Sequence, residues 1–182
     1  LQTNQIVALT TADLAALTTS QVQALTTAQV QGLSATQLNS LTTAQVASMQ
    51  TADVAALSVT QVASLSTANV AALSSTQAQA LSSAQVASLT TTQIGALETA
   101  DLSAMSTAQL AGLSVAQVGR LSTAQVAALT TDQVVTLSTD QLNGLTSTQV
   151  GALTSDQLAV ISTTDLTKLT SGALRALTSA QV

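Results

Sequence analysis

Asp132, Asp140 and Asp156 stand eight and then sixteen residues apart in a chain of 182 residues with only eight acidic groups. Carboxylates at such spacing, gathered onto one face by a repeating fold, would offer the oxygen ligands that a hard cation such as calcium takes. No EF-hand loop or nonapeptide calcium repeat accompanies them, and each aspartate also falls where a helix N-terminus favours negative charge. The second reading is adopted, and no metal is expected. A serine activated by Lys168 would need the amine held against a buried hydroxyl. Its neighbours Ser162 and Ser171 instead occupy places where Ser or Thr recurs along the whole chain. His, Cys and Tyr are absent, which removes the usual general base, thiol nucleophile, zinc ligand and phenolic acid together. With no glycine-rich phosphate loop either, no catalytic residue, no cofactor and no enzymatic activity are expected.

The remaining chemistry lies in rows of Ser and Thr. A rigid ladder of hydroxyls and methyls would order water and could dock on ice or a polysaccharide. Ala35, Val59 and Val115 interrupt the row, and Ser replaces Thr freely, which a surface needing every methyl would not tolerate. None of Asn4, Asn39, Asn69 and Asn143 opens an N-x-Ser/Thr acceptor.

Composition narrows the classes further. Arg120, Lys168 and Arg175 are the only cations against a net charge of −5, so nothing here would neutralise a phosphate backbone, and nucleic acid is not an expected partner. The chain is 46% hydrophobic and 6% charged, opposite to the balance of disordered segments, and it is expected to fold. Its apolar runs are a few residues long, as in 54–57, far below the roughly 20 residues of a membrane span. No basic and apolar leader is visible at Leu1. The absence of Cys leaves the redox compartment open.

All these residues are placed by one octapeptide, approximately Leu-Thr-Thr-Ala-Gln-Val-Ala-Ala, which runs from Leu1 to Val182 without insertion or deletion. With Leu1 as position 1 there are 22 complete octads and a partial one. Position 1 is Leu except at Met49, Met105 and Ile161, and position 6 is Val, Leu or Ile except at Ala78. Position 2 is Ser or Thr except at Gln2, Gln50 and Glu98, and position 5 is Gln, Asp or Asn except at Ala173. Ser/Thr followed three residues later by Gln is the capping-box spacing, and the apolar pair then falls at N′ and N4, the two ends of a hydrophobic staple. Charges give an independent check. Every acid occupies the N-cap, N2 or N3 place, at position 2, 4 or 5, while Arg175, Arg120 and Lys168 lie at positions 7 and 8, as the helix dipole favours.

One long helix would turn the apolar pair by roughly 80° per octad and leave no stripe. A strand would send positions 1 and 6 to opposite faces. What remains is a helix of about one and a half turns over positions 3 to 8 and a bend through positions 1 and 2. A single such turn cannot bury enough apolar surface to offset the ordering of its backbone. Stacked units can, so the sequence predicts an all-α solenoid of very short helices, one per octad, as one continuous array over residues 1–182. Small residues at position 8 let units approach, with Arg120, Val160 and Lys168 as interruptions. Departures at Gln2, Gln50 and Glu98 hint at a 48-residue duplication, compatible with two or three octads per coil. Gly172, Ala173 and Leu174 break the pattern near the end and predict a local defect or an approaching array end. A regular start at Leu177 and the lack of polar terminal repeats suggest a piece of a longer array, or one continued by self-association.

Runs such as 122–134, STAQVAALTTDQV, resemble the octapeptide arrays of very large bacterial surface and secreted adhesin-like proteins, a likeness that covers the whole chain. The resemblance implies an extracellular or cell-surface rod, stalk or filament segment that associates end to end or laterally. A binding module for ice, glycan or protein is the second expectation. A designed scaffold is the third, against which the variation at positions 4, 7 and 8 counts.

Overall fold

The computed structural model describes residues 2–178 and 181. Among them are twenty-two α-helices, from α1 (Thr3–Val7) to α22 (Ser171–Arg175), each four to six residues long and one in each octad. The local cause is visible in octad 6. Thr42 holds the N-cap in extended backbone at φ −69° and ψ 158°, and its side chain accepts from the Gln45 amide while Gln45 accepts in return from the Thr42 amide. At the other end Met49 is again extended, so two extended residues, Met49 and Gln50, separate this helix from the next. Where a helix ends at position 7, as at Ala15, a residue of helical backbone at position 8 precedes the bend. Wherever Ser or Thr is the N-cap and Gln the N3 residue of a described helix, both bonds of the box form, as from Thr18 to Thr154.

The box is not universal. It is missing in octads 7, 9, 21 and 22, where position 5 is Asp53, Asn69, Asp165 and Ala173. Ala has no acceptor, and Asn and Asp are one methylene shorter than Gln, although Asp13 and Asp101 still close the box in octads 2 and 13. The expected defect also takes a definite form. Ala173 turns inward to 3% exposure and Leu174, at position 6, turns outward to 43%, so in α22 the inner place has moved back by one residue.

Helices pack against those three octads away, from octad 1 against octad 4 to octad 19 against octad 22. Three octads therefore make one coil of the solenoid, and the chain forms three parallel stacks of short helices. Positions 1 and 6 fill the interior in one continuous core from Ile6 to Leu169, the burial that supplies most of the stability. No described residue has positive φ. Glycines at positions 7 and 8 serve close approach: a Cβ on Gly119 would stand 2.9 Å from the Gly144 carbonyl oxygen in the coil that follows.

Candidate functional site

Three octads per coil decide which expected residues meet. Asp132 and Asp156 lie on the helices of octads 17 and 20, which pack together, so they share one column one coil apart. Asp140, on the helix of octad 18, belongs to the neighbouring stack. All three are exposed first-turn acids, and no group of three metal-capable side chains occurs among the described residues. Ser162 is a cap, accepting from the Asp165 amide at 3.1 Å and donating to Asp165 Oδ2 at 2.6 Å. Ser171 is the first residue of α22. Both serines thus have structural places.

The hydroxyl rows are outside, but they are not a uniform ladder. Position-2 hydroxyls accept from the N3 amides, and Val59 and Val115 stand 45% and 43% exposed within the position-3 row. A cleft of about 380 Å³ opens where octads 4 and 5 meet octads 7 and 8, lined by Gln31, Leu33, Ser34, Ala56, Ser58 and Gln61, all uncharged. No helix of the described residues is long and apolar enough to cross a membrane.

The most organised polar feature is one that the capping-box reading assigned only half a role. From Gln29 to Gln157 most position-5 glutamines are buried. Gln133 shows why. Its Oε1 accepts from the Thr130 amide at 2.9 Å, and its Nε2 donates to the carbonyls of Leu102 at 2.8 Å and Met105 at 2.7 Å, on either side of the bend one coil back. The same reach recurs from Gln45 to Leu14 and Leu17, from Gln77 to Val46 and Met49, and from Gln157 to Val126 and Leu129. Each carboxamide therefore caps its own helix and fastens its coil to the one before. It supplies the donor for position-1 carbonyls such as Met105, while position-6 carbonyls such as Leu102 also accept from the backbone, here from the Met105 amide at 3.3 Å. A signal existed in the sequence. Position 5 never holds Glu, although Glu would close a capping box and suit the helix dipole. Gln adds the outward N–H donors that Glu lacks, and Asn69 likewise donates from Nδ2 to the Leu38 carbonyl at 3.2 Å.

Aspartate at position 5 reverses the direction of the fastening. Asp53, Asp101 and Asp165 each accept from a position-3 hydroxyl one coil back, on Thr27, Ser75 and Thr139. Where that earlier residue is Ala35, Val59 or Val115, the corresponding position 5 is Gln61, Gln85 or Gln141, which needs no hydroxyl partner. Asn39 supplies a further repair in octad 9: its Oδ1 accepts from the Ser66 amide at 2.6 Å, and its Nδ2 donates to the Ser64 carbonyl at 2.7 Å. The Ser162 and Thr139 hydroxyls hold the Asp165 carboxyl below its usual range. Lys168 acts in the same direction, and burial opposes it.

Helical units stacked with a fixed octad period and fastened coil to coil define the molecule as a helical solenoid of the repeat class. The chain belongs to the ALTTAQ repeat family, whose repeat matches residues 1–27, 46–83, 72–99, 94–131 and 126–163. No curated protein matches it.

Proposed function

We propose that the chain is a non-catalytic rod, stalk or filament segment of an extracellular or cell-surface protein, and that its shape is its activity. The observation that carries this reading is the recurring series of position-5 fastenings, which reaches from Gln37 onto Val7 and Leu9 to Gln181 onto Leu153, reverses its direction at Asp53, Asp101 and Asp165, and lapses at Ala173. A side chain that caps one coil while clamping the previous one makes length a simple matter of adding octads. The same geometry supports self-association, because the two flat ends of any coil are complementary halves of one interface: donors on one, bend carbonyls on the other. Electron microscopy of the purified 182-residue chain tests this. Rods, isolated or joined into concentration-dependent fibres, support it, and compact particles without a long axis overturn it.

One observation favours a second reading, a binding module for a neutral surface such as glycan or ice. Between Asp13 and Glu98 the only charged residue is Asp53, and it is buried, so the outside of that stretch presents hydroxyls, amides and methyls alone. Glycan-array and ice-recrystallisation assays address it. A Thr43→Ala, Thr51→Ala, Thr67→Ala variant that retained any binding seen would exclude the hydroxyl row as its cause.

A further inference from the structure

One carboxylate oxygen in the interior has no donor from the chain. Asp53 is 2% exposed, its Oδ1 accepts from the Thr27 hydroxyl at 2.7 Å, and its Oδ2 has no hydrogen-bond partner. Two neighbours in the scheme are also uncovered. The Gln50 amide is the N-cap amide of octad 7, which closes no box. In the flanking octads the equivalent amides, Thr42 and Ser58, donate to Gln45 and Gln61 at 2.7 and 2.8 Å. The Leu25 carbonyl is the bend oxygen one coil back, and no described backbone or side-chain donor reaches it. Its equivalents, Leu17 and Leu33, accept from Gln45 and Gln61 at 2.6 and 2.9 Å. Gln50 itself, standing where Ser or Thr is the rule, turns its Nε2 onto the Gln23 carbonyl at 2.8 Å and so covers only one of the oxygens that a position-5 glutamine would serve.

A glutamine carboxamide bridges an amide N–H on one side and a carbonyl on the other. Aspartate is one methylene shorter and has only acceptors. We propose that the junction at Asp53 binds a single structural water that completes the bridge. It accepts from the Gln50 N–H and donates its two hydrogens to Asp53 Oδ2 and the Leu25 carbonyl. That count of three bonds is the usual one for a buried water, and it serves the groups such waters serve. Asp101 marks the contrast: its Oδ2 accepts directly from the Glu98 amide at 3.2 Å and its Oδ1 from Ser75 at 2.9 Å, so its carboxylate is satisfied by the chain.

Oxygen-17 relaxation dispersion of the folded chain and of Asp53→Gln tests the assignment. The variant restores the usual fastening and is expected to lose one long-lived water; an unchanged number overturns the proposal. A crystal structure of the unsubstituted chain gives an arm that does not depend on how a variant folds. A solvent peak within hydrogen-bonding distance of both Asp53 Oδ2 and the Leu25 oxygen supports the site. A direct bond from the Gln50 amide to Oδ2 with no such peak refutes it.

Discussion

A Cβ on Gly144 would lie 2.5 Å from Cγ1 of Val115, one coil earlier in the same stack. Gly144 has ordinary helical backbone, φ −74° and ψ −15°, so glycine is required there for room and not for backbone freedom. Gly144→Ala is expected to destabilise the chain by about 1–3 kcal/mol, the range of overpacking. Val115→Ala frees the space, and the double variant should recover most of that loss. Denaturant unfolding of the four proteins gives the coupling; additive effects would show that the two residues do not share the contact.

Gln133 separates the two roles of position 5. Gln133→Ala removes the acceptor for the Thr130 amide and the donor to Leu102 and Met105, with an expected loss of about 2–4 kcal/mol, since each buried group left unpaired costs about 1–3 kcal/mol. Gln133→Glu keeps the box acceptor but sets a carboxylate against two carbonyls. Its carboxyl is therefore pushed upward, and the variant should regain stability as the pH falls and the acid becomes a donor. Thermal unfolding at neutral and at mildly acidic pH distinguishes them: the alanine variant should show no such recovery.

Much of this architecture is written in the octapeptide. Thr42 and Gln45 announce a helix start because capping is a local interaction between residues three apart, and Leu41 and Val46 announce the inner face by their type alone. The number of octads per coil is different. It depends on contacts such as Gln45 with Leu14, 31 residues away, and no local rule reports those. The spacing of Gln50 and Glu98 allowed two or three octads, and the stacking chose three. Gln133 could be recognised as an N3 cap because its oxygen works within its own octad, while the nitrogen works in another coil. The same ignorance of the coil number kept Asp132 and Asp156 from being distinguished from Asp140, and only the first two share a column.

Asn39 carries a repair that no local pattern demands. Asn69 leaves the Ser66 amide uncapped, and Asn39 accepts from it across the coil boundary. Asn39→Ala is expected to cost about 1 kcal/mol, the usual worth of a cap, and to speed hydrogen exchange at the Ser66 amide while leaving the Thr90 amide, capped by its own Gln93, unchanged. Equal protection of Ser66 in both proteins would remove Asn39 from this role.

Asp165 links stability to acid. Hydrogen bonds from Ser162 and Thr139, with a smaller contribution from Lys168, lower its carboxyl below the usual 3.8. A depressed folded value means that the contribution is present above the unfolded value near 3.8 and is lost as the pH falls through the folded one. The junction between octads 18 and 21 should therefore be unaffected at pH 7 and weaken only below about pH 4. Carbon-13 NMR titration should place the Asp165 midpoint under 3.8, and both Ser162→Ala and Thr139→Val should raise it. The two variants differ in what else they change. Ser162 bonds within its own octad, whereas Thr139 reaches from the coil before. Thr139→Val should therefore abolish the acid dependence of amide exchange across the junction, and Ser162→Ala should mainly loosen the start of its own helix, Thr163–Leu166. Equal acid dependence in Thr139→Val and the parent chain would show that the cross-coil hydroxyl does not couple Asp165 to the stack.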